Sequence, residues 1–384
     1  TNGIASSMTT PLSSVEQPAR NGDSALRRSG DVVLLYLLSR LLVMSTLWLT
    51  ARVKHQPLVN FLHGWDGYWY LSVARSGYVT SIPPGHGNIA QCNLGFFPLL
   101  PLLLRGAHWL AGGNWTVDGL VLNTLAGSLA AVVVYVMAVK HFGHLGARRG
   151  VALMVLSPGS VVLSMIYAET YIVLFVALTL WALQEHRWVV AGLAAAAASA
   201  LDPVGVVAFL PCAYVAWHEI RHNRHWRALA APVLAPLGVT LFFTYLAFHT
   251  GSFFAYAHAQ RAGWQQGIFG TGVFYAMGQV VLHFTSAFNS IVKTLSFAAG
   301  VAMLWWAWRR RITMTWMSYV LGVMLMGVIS PIIGITPRLL LRGFPLLVAV
   351  GATVTRRWFV TMLSLSIVGL IGLSIASTGL TWTP

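Results

Sequence analysis

The sequence predicts an all-α polytopic membrane protein: one helical domain, residues 31–384, behind a polar tail, residues 1–30. Three observations carry this. Of 384 residues, 57% are hydrophobic and only 9% charged, outside the composition of soluble globular domains. Apolar stretches close to bilayer-spanning length recur from residue 31 to the C-terminus. The basic residues, which give a formal charge of +15, cluster between those stretches, as they do in cytoplasmic loops. In a soluble chain that charge would suggest nucleic acid; here it reports topology, so membrane lipids are expected as partners and nucleic acid is not. The bias of 21 Arg against 3 Lys fits a high-GC bacterial genome, and a bacterial plasma membrane is the expected location.

Residues 1–30 contain Ser, Thr and Pro and carry Arg27-Arg28 near their end, so they read as a disordered cytoplasmic tail. Apolar windows follow at 31–51, 119–139, 150–167, 170–184, 188–201, 203–218, 229–249, 291–308, 312–330, 339–355 and 358–377, about eleven spans. The window 188–201 ends at Leu201-Asp202-Pro203, so 188–218 also reads as one broken hairpin. If spans alternate, Lys140 with Arg148/Arg149, Arg187, Arg221/Arg224/Arg227, Arg309/Arg310/Arg311 and Arg356/Arg357 share the cytoplasmic side with the tail. The other side receives two long aromatic segments, 52–118 and 250–290. These read as amphipathic helices lying in the outer interface; an aromatic belt with no further task is the plainer reading. Cys92 and Cys212 are too few for a disulfide framework.

Only nine Asp and Glu occur in the chain, and Asp66, Asp118, Glu169 and Asp202 all fall at outer ends of spans or in the first outer segment. Ionisable groups near a bilayer are costly unless paired, hydrated or used, so their collection on one side points to chemistry or binding there. Asp118, followed by Gly119, reads as an N-cap or a favourable charge at a helix start, and Asp202 as the cap of a helix begun by Pro203. Glu169 sits in a tight turn, Tyr167-Ala168-Glu169-Thr170-Tyr171, where capping and ligand contact are both open. Asp66, between Trp65 and Gly67, reads as a carboxylate on a flexible aromatic-walled turn, suited to take a proton from a hydroxyl nucleophile. Among outer basic residues, Arg338 follows two chain-breaking prolines, Pro331 and Pro337. Phosphate binding and a snorkelling lipid contact are its two readings. No His-Glu-x-x-His pattern, P-loop, dinucleotide fingerprint or nucleophile elbow is present. The sequence therefore indicates no cofactor, with a divalent metal left open.

Trp65-Asp66-Gly67-Tyr68-Trp69-Tyr70-Leu71-Ser72-Val73-Ala74-Arg75-Ser76-Gly77-Tyr78, then Phe96-Phe97-Pro98-Leu99-Leu100-Pro101, resembles the PIG-V-type mannosyltransferases of the GT-C superfamily. Ser157-Pro158-Gly159-Ser160 with Tyr167-Ala168-Glu169-Thr170, Ala259-Gln260 with Trp264, and Arg338 with Phe344-Pro345 are similar to later motifs of that family. The resemblance covers about 60 to 346. It implies a GT-C-like bundle that moves mannose from a polyprenyl-phosphate-mannose donor to a lipid-linked glycan acceptor on the non-cytoplasmic face, with the central acid at Asp66. Two departures stand out: Leu201-Asp202-Pro203 replaces a Thr-Arg-Pro/Ser pattern, and Leu339 replaces an aromatic.

On this reading Asp66 is the base of an inverting displacement. Trp65, Tyr68 and Trp69 are expected to stack on sugar, and Arg338, with Arg75 or Arg261 behind it, to meet the lipid phosphate. Glu169, Gln260 and Trp264 complete the expected binding set. A transferase of another sugar or to a protein acceptor, and a glycolipid transporter, are the rival readings.

Overall fold

The computed structural model describes residues 28–83, 90–264, 272–283, 288–330 and 334–379; the predicted tail up to residue 27, and Pro331, lie outside them. The described residues are helical, with no strand among them. The first span is α1 (Gly30–Val53). A single turn at Val59–Leu62 leads to α2 (Asp66–Ser76) and α3 (Leu99–Ala111). Next comes α4 (Trp115–Val155), 41 residues interrupted at Gly143, then a 3-10 segment, Pro158–Ser164, and α5 (Glu169–Gln184), bent 104° from it. The chain continues through α6 (Trp188–Ser199), a turn at Pro203–Val206, α7 (Phe209–Asn223), a short helix at Ala230–Leu234, and α8 (Leu237–Thr250). Two shorter helices, α9 (Ala255–Trp264) and α10 (Gly272–Leu282), precede α11 (Phe288–Arg309) and α12 (Met314–Ile329). The chain closes with α13 (Pro337–Arg342), α14 (Phe344–Thr353) and α15 (Arg356–Ala376).

All eleven apolar windows are helical in whole or part. Six helices among the described residues are long and apolar enough to cross a membrane, or seven if the bent pair of Pro158–Ser164 and α5 is one span. The window 150–167 departs furthest, because its first residues finish α4 and the rest is the 3-10 segment. The window 339–355 is split at Gly343 into α13 and α14. Hydropathy registers apolar content but not the backbone breaks at Pro158 and Gly343, so windows of similar content become spans, half-spans or turns.

The centre of the bundle is α4, whose Ala131, Val134, Tyr135, Met137 and Ala138 are fully buried against α14, α5 and α1. By contrast α1 exposes Leu34, Leu38, Leu41 and Leu49, a surface suited to acyl chains and not to water. The chain is an integral membrane protein. One buried cation braces the part of the core that carries the site. Arg40 of α1 donates from Nη2 to Val155 O (2.7 Å) and Ser160 Oγ (3.1 Å), and from Nη1 to Ser160 O (2.5 Å) and Ser164 Oγ (3.1 Å). It thereby ties the 3-10 segment to the first span.

Candidate active site

Four pieces of chain converge on one cluster: the start of α2, the turn before α5, the turn after α6, and α13. Their placement follows from local chemistry. Thr336 caps α13 by accepting from Leu339 N (3.2 Å), and Pro337 occupies the first helical position, where its missing N–H costs nothing. Arg338 and Arg342 then lie four residues apart and share a helix face. The 3-10 segment packs so closely on this helix that a Cβ on Gly159 would lie 2.0 Å from Pro337 O; only glycine fits there. The turn before α5 is pinned by the side-chain amide of Asn123, which donates to Met165 O, and by Ile166 N donating to Leu62 O (3.0 Å).

Within the cluster acids and bases alternate. Arg338 Nη2 meets Asp66 Oδ2 at 2.6 Å, and its Nε donates to Glu169 Oε1. Arg342 Nε reaches the same Glu169 oxygen at 3.0 Å. Its Nη1 and Nη2 grip Asp202 Oδ1 and Oδ2, each at 3.1 Å, as a bidentate pair. Three carboxylates thus face two guanidiniums, leaving one excess negative charge. Burial is graded: the side chain of Glu169 is 0% exposed, those of Arg342 and Arg338 10% and 16%, and that of Asp66 25%. The network is closed at Glu169 and open at Asp66. Glu169 Oε2 is buried with no hydrogen-bond partner among the described residues, so Oε1 alone carries the contacts to both arginines.

Asp66 is the first residue of α2, not part of a flexible turn. The residue before it, Trp65, has φ 54° and ψ −118°, a conformation costly for a non-glycine residue and characteristic of functional sites. Tyr70, one turn on, is buried. Burial pushes its hydroxyl well above the ordinary value, and the carboxylates of Asp202, Asp66 and Glu169 push the same way. It is therefore a neutral group beside the cluster and no competing base.

The remaining expected residues divide. Trp69 stacks on Phe96 (6.0 Å between centroids) and meets Trp264 edge-on (5.8 Å). Gln260 Nε2 donates to Gly95 O (2.9 Å), so Gln260 and Trp264 dock α9 against the Asn93–Gly95 turn. Tyr68 is exposed, edge-on to Trp69 at 5.2 Å. Arg75 lies at the far end of α2, over the Trp115 ring (5.7 Å), and Arg261 is exposed on α9; neither joins the cluster. Arg338 is held between two carboxylates instead of standing ready for phosphate. Asp202 does cap its turn, accepting from Val204 N (2.8 Å), and also holds Arg342. Of the two readings of Asp118, the structure has the charge at a helix start and not the cap: Asn114 caps α4 by accepting from Thr116 N (2.9 Å), and Asp118, in the first turn, bonds His108 Nδ1 (2.7 Å).

Sequence reasoning missed the role of Arg342, for which its i, i+4 spacing from Arg338 was the available signal, and that of Asp202 as its partner, for which the sequence holds no local signal. It also missed a cleft of about 420 Å³ lined by Lys54, Gln56, Asn60, Phe61, Trp65 and Ser377–Gly379. This cleft lies between the ends of α1 and α15, and Trp65 joins it to Asp66. Among the described residues no three His, Cys, Asp or Glu side chains are grouped to hold a metal.

No family model and no curated protein matches the chain. Solved structures do. A crystal structure of ArnT from Cupriavidus metallidurans bound to undecaprenyl phosphate superposes with a TM-score of 0.56 at 18% identity, covering 87% of this chain and 62% of ArnT. The chain has an ArnT-like fold. The apo structure of the same ArnT gives a TM-score of 0.50 at 18% identity, over 77% of this chain and 55% of ArnT. The chain thus spans about three-fifths of the ArnT length, and the likeness concerns the fold.

Proposed function

We propose that the protein is a glycosyltransferase that moves mannose from a polyprenyl-phosphate-mannose donor to a lipid-linked glycan acceptor. The proposed location is the non-cytoplasmic face of a bacterial plasma membrane. The observation that carries this reading is Asp66: a partly open carboxylate, next to a strained tryptophan, at the open end of an otherwise buried charge network. The ArnT likeness supports a lipid-phosphate-linked donor, since that ArnT structure holds undecaprenyl phosphate.

In the proposed step Arg338 fixes Asp66 Oδ2, and the other carboxylate oxygen takes the proton of the acceptor hydroxyl. The hydroxyl oxygen forms a bond to the anomeric carbon as the anomeric carbon–oxygen bond to phosphate breaks, and polyprenyl phosphate leaves with the electron pair. The excess negative charge of the cluster favours positive charge developing on the sugar. The departing phosphate needs a cation not already committed to carboxylates. Lys54 fits, because it lines the cleft beside Trp65 and bonds a carbonyl, Thr378 O, at 3.1 Å. Trp65 and Tyr68, both exposed, are the indole and phenol faces available to sugar.

The test compares wild type with Asp66→Asn, both shown to fold equally, for release of polyprenyl phosphate and labelling of a membrane glycolipid. Transfer by wild type and not by the variant supports the reading; an active variant removes Asp66 as the base. A second reading is a donor carrying a sugar other than mannose, since the ArnT structure holds a lipid phosphate that carries no sugar. Competition between lipid-phosphate-linked sugars separates the two.

A further inference from the structure

A second groove of about 420 Å³ lies at the other end of α6 from Asp202, lined by Arg187, Trp188, Val189, Val190, Arg227 and Ala230. The 12 residues of α6 put roughly 18 Å between its ends, so this groove is separate from the candidate active site. Its walls are apolar and fixed. A Cβ on Gly192 would lie 2.7 Å from Leu234 Cβ and 2.9 Å from Ala230 O, so α6 and the helix Ala230–Leu234 are in direct backbone contact beneath it.

The two arginines at its mouth differ from those of the active site. Among the described residues neither Arg187 nor Arg227 forms an ion pair, whereas Arg338, Arg342, Arg148 and Lys140 all meet carboxylates. Arg187 rests over the Trp181 ring at 5.2 Å, which holds the guanidinium plane without neutralising it. Trp188 and Trp226, adjacent in sequence to the two arginines, mark headgroup depth, where indoles concentrate in membrane proteins. An open apolar groove, with two guanidiniums at its rim that form no ion pair among the described residues, is complementary to one class of membrane component: a phospholipid with an anionic headgroup.

We propose that this groove is a binding site for an anionic phospholipid, its phosphate between Arg187 and Arg227 and its acyl chain against Val189, Val190 and Ala230. The site is independent of the proposed transfer reaction. It would clamp the cytoplasmic ends of α6 and the Ala230–Leu234 helix, and so brace from below the element that presents Asp202.

The test uses the full chain in a neutral detergent, with phosphatidylglycerol, phosphatidylcholine and inorganic phosphate as probes. The readouts are native mass spectrometry for retained lipid and the thermal midpoint. For wild type, phosphatidylglycerol is expected to be retained and to raise the midpoint, with phosphatidylcholine and inorganic phosphate without effect. Affinity is expected to fall about fivefold for each arginine removed in Arg187→Gln and Arg187→Gln/Arg227→Gln. Arg221→Gln/Arg224→Gln, which removes the same charge from the same region but not from the groove, should bind as wild type does. Ala230→Trp, which fills the groove and keeps both arginines, should also lose the lipid, and it serves if the double variant does not fold. Equal retention by wild type and the groove variants, an equal loss in Arg221→Gln/Arg224→Gln, or equal stabilisation by phosphatidylcholine or inorganic phosphate would each overturn the proposal.

Discussion

Arg40 and the Arg338–Arg342 pair are both buried guanidinium sites, and they solve the same problem in opposite ways. Arg40 spends its donors on neutral acceptors, two carbonyls and the hydroxyls of Ser39, Ser160 and Ser164, and sits over the Tyr36 ring at 5.4 Å. Nothing charged remains there to act on. Arg338 and Arg342 face three carboxylates, and the end of that chain at Asp66 is a quarter exposed. A buried cation saturated by backbone is a strut, whereas one surrounded by excess, partly open carboxylate holds a reactive group in register. Five substitutions test that difference, from the largest expected effect to the smallest.

Removing the group at the open end should cost most. Asp66→Asn keeps the shape and a hydrogen-bond acceptor for Arg338 but not the base, and turnover should fall by about 10²- to 10⁴-fold with little change in thermal midpoint, read by donor turnover and a melting curve. Removing the closed end should do the reverse. Glu169→Gln leaves Arg338 and Arg342 with one fewer buried counter-charge, and stability should fall by about 3–5 kcal/mol, measured by unfolding in detergent. Asp66→Asn destabilising as much as Glu169→Gln would mean that the network has no functional end.

Arg40→Met tests the strut. It takes the guanidinium donor from Ser160 O, at about 1–3 kcal/mol, while Val155 O keeps its bond from Ser160 Oγ (2.8 Å). The expected outcome is a lower midpoint with the KM for donor unchanged. A selective rise in KM would place Arg40 in the binding machinery and erase the contrast. Lys54→Gln tests the cleft next to Asp66. Losing a charge-assisted contact to the lipid phosphate should raise the donor KM about tenfold with kcat little changed, and higher salt should shrink the gap between wild type and variant.

The contrast also explains what could be read in advance. Asp66 was legible because so few acids occur, and Asp202 as a cap because Pro203 follows it. What joins them was not. Arg342 finds Asp202 across 140 residues and Glu169 across 173, and contacts at such separation leave no local pattern in a single chain. Arg40 was hidden for a different reason: it lies inside an apolar run, where a window average absorbs a single charge. The spans were legible as apolar content, while their ends were not, because a hydropathy window averages over backbone breaks such as those at Pro158 and Gly343. Gly159 is the clearest case, since its need to be glycine arises from a carbonyl more than 170 residues away in sequence.

The smallest effect is expected at Arg75, and it is the sharpest check on the boundary of the site. Its sequence neighbourhood is the motif that carries the family resemblance, so a motif-based reading gives it a role in binding. Its geometry does not. About 13 Å of helix rise separates it from Asp66, and its guanidinium lies over the exposed edge of the structure, against Trp115, where a cation–π contact is worth about 0.5–1 kcal/mol. Arg75→Gln should therefore leave kcat and the donor KM within about twofold of wild type and lower stability by no more than that contact. A KM shift as large as that of Lys54→Gln would mean that the donor's phosphate runs along α2 and not into the cleft beside Trp65.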